Sequence, residues 1–158
     1  MRKRSKYKPK GVRLDTMDFV KSGLRNFDEM SIAVDLRLKN HLAIEALRTG
    51  QATTKDIDVL IGAFNMAEAL RRLRDEYGQD WAKEISDGQD SLLAVGRRGL
   101  ESMRFICRAS ELTAIRLVME IHDAQLDKAT VKDLEQAMDI VMEDYRNKRM
   151  RAIKEKTK

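Results

Sequence analysis

Proline and cysteine each occur once in this chain of 158 residues, and glycine only eight times. With a single thiol, Cys107, no intrachain disulfide can form, which excludes a disulfide-stapled fold and points to a reducing compartment. So little proline and glycine excludes a collagen-like, loop-rich or low-complexity chain. Aromatic residues are scarce while methionine occurs nine times, which suits a helical core filled by aliphatic and flexible side chains. No run approaches the ~18 apolar residues of a membrane span. The basic N-terminus is not followed by the apolar core of a secretory signal, so a cytoplasmic protein is expected. A chain of this length can bury about 70% of its unfolded surface and fits one domain.

What is present is charge, unevenly placed. The overall net charge is +5. Residues 1–13 hold seven basic and no acidic residues, Arg2, Lys3, Arg4, Lys6, Lys8, Lys10 and Arg13. Residues 146–158 hold Arg146, Lys148, Arg149, Arg151, Lys154, Lys156 and Lys158 against Glu155. The intervening 14–145 carries 17 basic and 25 acidic residues, a net −8. An acidic body is therefore framed by basic ends. The organisation expected is a basic flexible arm at 1–13, a helical bundle at 14–145 and a basic helical tail at 146–158.

The periodicity predicts an all-α protein: a helical bundle of two αα-hairpins, preceded by a short N-terminal helix and the arm. Pro9 and Gly11 break helix in the arm, and Asp15 offers a cap for a short helix ending near Gly23. Ser31 can cap a helix running to about Thr49, where Gly50 suits a left-handed stop. Its start is open, because Ile32, Val34, Leu36 and Leu38 alternate as a strand would. Thr53 and Asp56 then open the clearest amphipathic helix, with Ile57, Leu60, Ile61, Phe64, Ala67, Leu70, Leu73 and Tyr77 at three- and four-residue steps before Gly78. A fourth helix from Asp80 carries Trp81, Ile85, Leu92, Leu93 and Val95 and is expected to stop near Gly96 or Gly99. Phe105, Ile106 and Cys107 read as extended. Ser110 can cap a fifth helix, and Thr130 with Asp133 a sixth, with Leu134, Met138, Val141 and Tyr145 inward and a basic tail continuing the helix. Residues 52–58 and 129–135 resemble each other (Ala-Thr-Thr-Lys-Asp-Ile-Asp and Ala-Thr-Val-Lys-Asp-Leu-Glu), which fits either a duplicated hairpin or the recurrence of capping chemistry.

Few residues suggest chemistry. In the N-terminal arm the cations can neutralise phosphates and Tyr7 can stack on a base. Seven phosphate contacts would give a log–log salt slope of about −6 on duplex DNA, without sequence readout. Arg146, Lys148, Arg149 and Arg151 extend the same chemistry to the other end. A helix-turn-helix around Ala46 and Gly50 fails, because Ile57 and Leu60 fall one residue late and Asp56 and Asp58 would repel phosphates. His122-Asp123 is the doublet of the HD metal-dependent phosphohydrolases, with His41 and Asp144 as conceivable further ligands. The spacing is long, and His122 on an apolar stripe reads as a buried, hydrogen-bonded residue. Glu120 and Asp123 supply half of the acidic pattern of the MazG-like nucleotide hydrolases, and the other half is missing. Neither a phosphate-binding glycine loop nor a Cys/His cluster occurs, so no catalytic residue, metal or cofactor is assigned and a non-enzymatic protein is expected. Arg71, Arg72 and Arg74 close an apolar helix; they could hold an anion, or serve the helix dipole and pair with Glu68 and Asp75.

Several segments together resemble small uncharacterised helical proteins of phages and prophages of Gram-negative bacteria: Lys-Pro-Lys-Gly-Val-Arg-Leu-Asp-Thr-Met at 8–17, Leu-Lys-Asn-His at 38–41, Asn-Met-Ala-Glu-Ala-Leu at 65–70, Gly-Gln-Asp-Ser-Leu-Leu at 88–93 and Glu-Ile-His-Asp-Ala-Gln-Leu at 120–126. The resemblance implies an accessory role and assigns no functional residue. The expected function is association with nucleic acid through the basic ends. The alternative is a module that binds or inhibits a host protein through its acidic body. Helical hairpins with broad apolar faces commonly complete their cores with a second copy, so a homodimer is expected.

Overall fold

A computed structural model describes residues 29–150. It contains five α-helices: α1 Glu29–Arg48, α2 Thr54–Leu73, α3 Ala82–Ser102, α4 Ala109–Leu126 and α5 Val131–Arg146. No strand occurs among the described residues, and none of their helices is long and apolar enough to cross a membrane. The expected all-α bundle is what the structure shows. The basic arm at 1–13 and the short helix expected between 15 and 23 lie outside the described residues.

Local chemistry sets most of the boundaries. α1 begins before Ser31, which therefore lies inside the helix, and the alternating stretch from Ile32 to Leu38 is helical. α1 ends in a Schellman motif: Gly50 takes φ +71°, Gln51 N–H donates to the Ala46 carbonyl at 2.9 Å, and Gly50 N–H donates to Leu47 at 3.3 Å. Thr53 then opens α2, with the Asp56 carboxylate accepting from the Thr53 N–H at 2.7 Å. Thr130 and Asp133 make the fuller version at α5, where Asp133 N–H also donates to the Thr130 hydroxyl oxygen at 3.2 Å.

Three expectations are corrected. α2 stops at Leu73 rather than Tyr77, because Arg74 is extended and a 3-10 turn, Asp75–Tyr77, follows. That break turns the Tyr77 ring inward beside Leu70, Leu126 and Leu134. α3 starts at Ala82, after a second 3-10 turn, Gln79–Trp81, and runs through Gly96 and Gly99 to Ser102. Its glycines serve close approach: a Cβ on Gly88 would stand 2.2 Å from Val118 Cγ2, and one on Gly99 would stand 2.0 Å from the Phe105 ring. α5 ends at Arg146 in another Schellman motif, so residues 147–150 do not continue it, and the rest of the basic tail, 151–158, lies outside the described residues. There Lys148 takes the left-handed φ of +54°, and Arg149 N–H donates to the Asp144 carbonyl at 2.9 Å.

α2 is the central helix, in contact with all four others. The first hairpin, α1 with α2, is the expected one, whereas the second, expected across the turn at 127–130, is instead α3 with α4, because α5 leaves α4 through that turn and lies along α2. The two Thr-Asp caps thus begin helices with different places in the bundle, one central and one peripheral. The main core joins Leu47, Leu60, Phe64, Ile85, Leu92, Val95, Ile115, Val118 and Met119; a smaller one joins Leu70, Tyr77, Leu126, Leu134 and Ala137. Tyr145, expected inward, is exposed.

Buried polar groups knit these cores together. The Tyr77 hydroxyl donates to the buried Asp133 carboxylate at 2.7 Å, and an Arg74 guanidinium nitrogen lies 2.7 Å from its other oxygen. Burial pushes the Asp133 carboxyl up, but hydrogen bonds from Tyr77 and Thr130 and the charge of Arg74 hold it below its ordinary value. The same burial and the Asp133 charge push the Tyr77 phenol up to about 12. Gln125 donates to the Ala67 and Tyr77 carbonyls at 3.0 and 2.9 Å, tying α4 to the end of α2.

Candidate nucleic-acid interface

Residues 29–150 hold 18 basic and 22 acidic residues, so the described body is itself net −4. Its arginines fall into two groups. Arg37, Arg48, Arg71, Arg72, Arg74, Arg98 and Arg149 each lie within ion-pair distance of a carboxylate. Arg97, Arg104, Arg108, Arg116 and Arg146 are outside these ion pairs. The first four of these gather on the α3–α4 hairpin, and all four are exposed.

The construction of that hairpin places these charges at the surface. The connector at 103–108 is short and irregular. Phe105 folds down over Gly99 and is buried. The Arg98 guanidinium forks onto Glu111 at 2.5 and 2.7 Å, and Glu111 also accepts the Arg108 N–H at 2.8 Å. Arg98 is thereby the main cause that holds the Glu111 carboxyl below its ordinary range. Glu111 is engaged chiefly by Arg98, the charge of the exposed Arg108 acts on the same carboxylate through space, and Arg104 is exposed beside them in sequence. Farther along α4, Arg116 acts on Glu45 through space, but that carboxylate is held by Arg48 at 2.6 Å. The segment 97–116 has five basic and two acidic residues, against the sign of the body around it.

This pole also has an apolar tip. Met103 is in the left-handed region at φ +58° and 85% exposed, with Leu100 and Ile106 exposed beside it in sequence. Cys107, in the same connector, is half-buried, and burial pushes its thiol up to about 11, which disfavours the thiolate at neutral pH. The arrangement offers guanidinium forks around an aliphatic projection. Guanidinium groups of this kind suit phosphate oxygens.

Of the residues expected to contact nucleic acid, Arg2, Lys3, Arg4, Lys6, Tyr7, Lys8, Lys10, Arg13 and Arg151 lie outside the described residues. Arg146 and Lys148 stand at the end of α5 with no ion-pair partner among the described residues. Arg149 folds back on Glu143 and Asp144 at 3.5 and 3.7 Å. There it lines a polar groove between α2, α3 and α5 with Arg71 and Arg72. Arg72 lies 2.5 Å from Asp144, and Arg71 lies 2.7 Å from Glu68, so the cations of this groove are matched by acids. Arg71 takes the expected partner, whereas Arg74 pairs with Asp133 and Glu76 rather than Asp75. The exposed arginines of the hairpin were not legible as a site, because 14–145 is net acidic as a whole. The local excess of base between 97 and 116 was the available signal.

The conceivable metal ligands diverge. His122 is fully inside the core, and desolvation pushes its imidazole down to about 4. Asp123 points the other way, to His41 Nε2 at 2.7 Å and to Arg37. Among the described residues no three His, Cys, Asp or Glu side chains are grouped to hold a metal ion. The chain matches no protein-family model, and no curated protein or solved structure is similar to it.

Proposed function

We propose that this protein associates with nucleic acid without sequence preference, as a non-enzymatic accessory factor in the cytoplasm of a phage-infected or lysogenic cell. The observation that carries the reading is the group of Arg97, Arg104, Arg108 and Arg116 on one hairpin, exposed and outside the ion pairs that engage most other arginines of the body. Unpaired guanidinium groups release condensed counterions when they meet phosphates, and each such contact adds about 0.9 to the salt slope on duplex DNA. The basic residues of 1–13 and 146–158 would add to that attraction from both ends.

The test is a fluorescence-anisotropy titration on a short duplex over a range of salt. Replacing Arg97, Arg104, Arg108 and Arg116 by Gln should lower the magnitude of the log–log slope by roughly 3–4. Removing residues 1–13 should lower it further. If the four-fold variant and the unaltered chain bind with the same slope, the hairpin is not the interface.

A second reading rests on Glu135, Asp139 and Glu143, which are exposed at four-residue steps on α5 and form an acidic stripe. Such a stripe suits a basic protein surface. Under that reading a host protein would bind the chain with unchanged affinity after the arginine substitutions, and would lose it after Glu135→Gln and Asp139→Asn.

A further inference from the structure

α1 buries one face and leaves another uncovered. Ala43, Ile44 and Leu47 point into the core against α2 and α4. On the opposite side Val34, Leu38 and Leu42 are 54%, 59% and 60% exposed. At a helical step of about 100° per residue these three lie within about 40° of Leu38 in direction, and they extend over about 12 Å. Three large aliphatic side chains in line on a charged protein are a face without a partner among the described residues, not scattered exposure.

We infer that this stripe is covered by a second copy of the same chain, with α1 packed antiparallel on α1 about a two-fold axis beside Leu38. The first support is the symmetry of the pattern. Val34 and Leu42 stand four residues to either side of Leu38. A two-fold axis therefore sets Leu38 against the partner's Leu38, and Val34 against the partner's Leu42. An isologous contact needs this self-complementarity, and it follows from the spacing alone.

The second support is charge. Asp35 lies three residues before Leu38, and Lys39 one residue after it. On the helical wheel both fall on the same flank of the stripe, at about 60° and 100° from Leu38. The two-fold operation brings each Asp35 to within about 3 Å, along the helix axis, of the partner's Lys39. Two symmetric pairs of opposite charge then border the apolar seam, the role that flanking charges play in coiled coils. In a parallel arrangement this flank would face the opposite flank of the partner, so Asp35 and Lys39 meet across the seam only in the antiparallel one.

The seam is short compared with the ~800 Å² per partner of a standard interface, so dissociation on the order of micromolar is expected. Sedimentation velocity on the full chain, from about 1 to 200 µM, reads it directly. The unaltered protein should shift from monomer to dimer across that range. Leu38→Asp should remain monomeric throughout, with an unchanged circular dichroism spectrum because Leu38 is not a core residue. Asp35→Lys should weaken the dimer by about tenfold or more, a cost of ~1.4 kcal/mol. Adding Lys39→Asp to it should restore the dimer, since the swapped charges again meet across the axis. A chain that stays monomeric at the highest concentration overturns the proposal, as does a dimer that survives Leu38→Asp. Failure of the charge swap to rescue Asp35→Lys overturns the antiparallel register.

Discussion

His122 shows what single residues contribute and how far the sequence discloses it. Its place on the apolar stripe of α4 marks it as structural, and it is buried with Nδ1 3.4 Å from the Gln125 side-chain oxygen. At that length the contact offers little to a charged ring, and desolvation lowers the imidazole from an ordinary 6.5 to about 4. The unfolded chain therefore binds the proton first. Between pH 6.5 and 4 the unfolded state carries more bound protons than the folded one, so stability falls as the pH is lowered through that window and this contribution levels off below it. From pH 7 to 4.5 the loss attributable to His122 should be roughly 2–3 kcal/mol. Urea denaturation of the unaltered chain and of His122→Gln at both pH values measures it: the variant should show a smaller drop by about that amount. Equal drops would mean that the ring reaches water when protonated. Asp133 was half legible by comparison. Its capping of α5 is written in the four residues from Thr130, but Tyr77 and Arg74 reach it from the far end of α2, and no local pattern announces them.

Among the elements, α3 separates what a glycine says locally from what it does in the fold. Gly96 and Gly99 looked like helix stops because glycine commonly ends helices. The helix runs through both, and Gly88 and Gly99 lie where α4 and the connector press against it. Gly88 is the tightest case: an added Cβ would meet Val118 Cγ2 at 2.2 Å and the Ala114 carbonyl oxygen at 3.2 Å. Val118 is β-branched and stiff in a helix, and the carbonyl is backbone, so neither gives way cheaply. Gly88→Ala should thus destabilise the protein by about 1–3 kcal/mol, despite the higher helix propensity of alanine. Combining it with Val118→Ala should give a loss smaller than the sum of the single losses, because the second change makes room for the first. Thermal denaturation of the three variants decides this, and additive losses would remove the close-contact explanation. The capping boxes, in contrast, could be read directly, because Thr-x-x-Asp acts within one turn.

At the scale of the whole molecule, the acidic body with basic ends is only part of the charge pattern. The hairpin of α3 and α4 adds a third basic region inside the body, and the sequence concealed it because pairing, not composition, decides which charges remain available. Its position matters for the proposed dimer. α1 and α4 run antiparallel, with Arg37 and His41 beside Asp123 and Glu45 near Arg116. The arginine pole at the start of α4 therefore lies toward the end of the bundle where α1 finishes. Antiparallel pairing of α1 would then turn the two poles in opposite directions, about 30 Å apart or more, since Leu38 lies ten residues from the end of α1. A dimer of this form cannot clamp one short duplex with both poles. It can bridge two. A duplex immobilised on beads should capture a second, labelled duplex from solution in the presence of the unaltered protein, and increasingly so above the dimerisation midpoint. Leu38→Asp should still bind a single duplex yet lose the capture, whereas the four-fold arginine variant should lose both. Capture by Leu38→Asp at the level of the unaltered chain would mean that the basic ends, and not a paired hairpin, make the bridge.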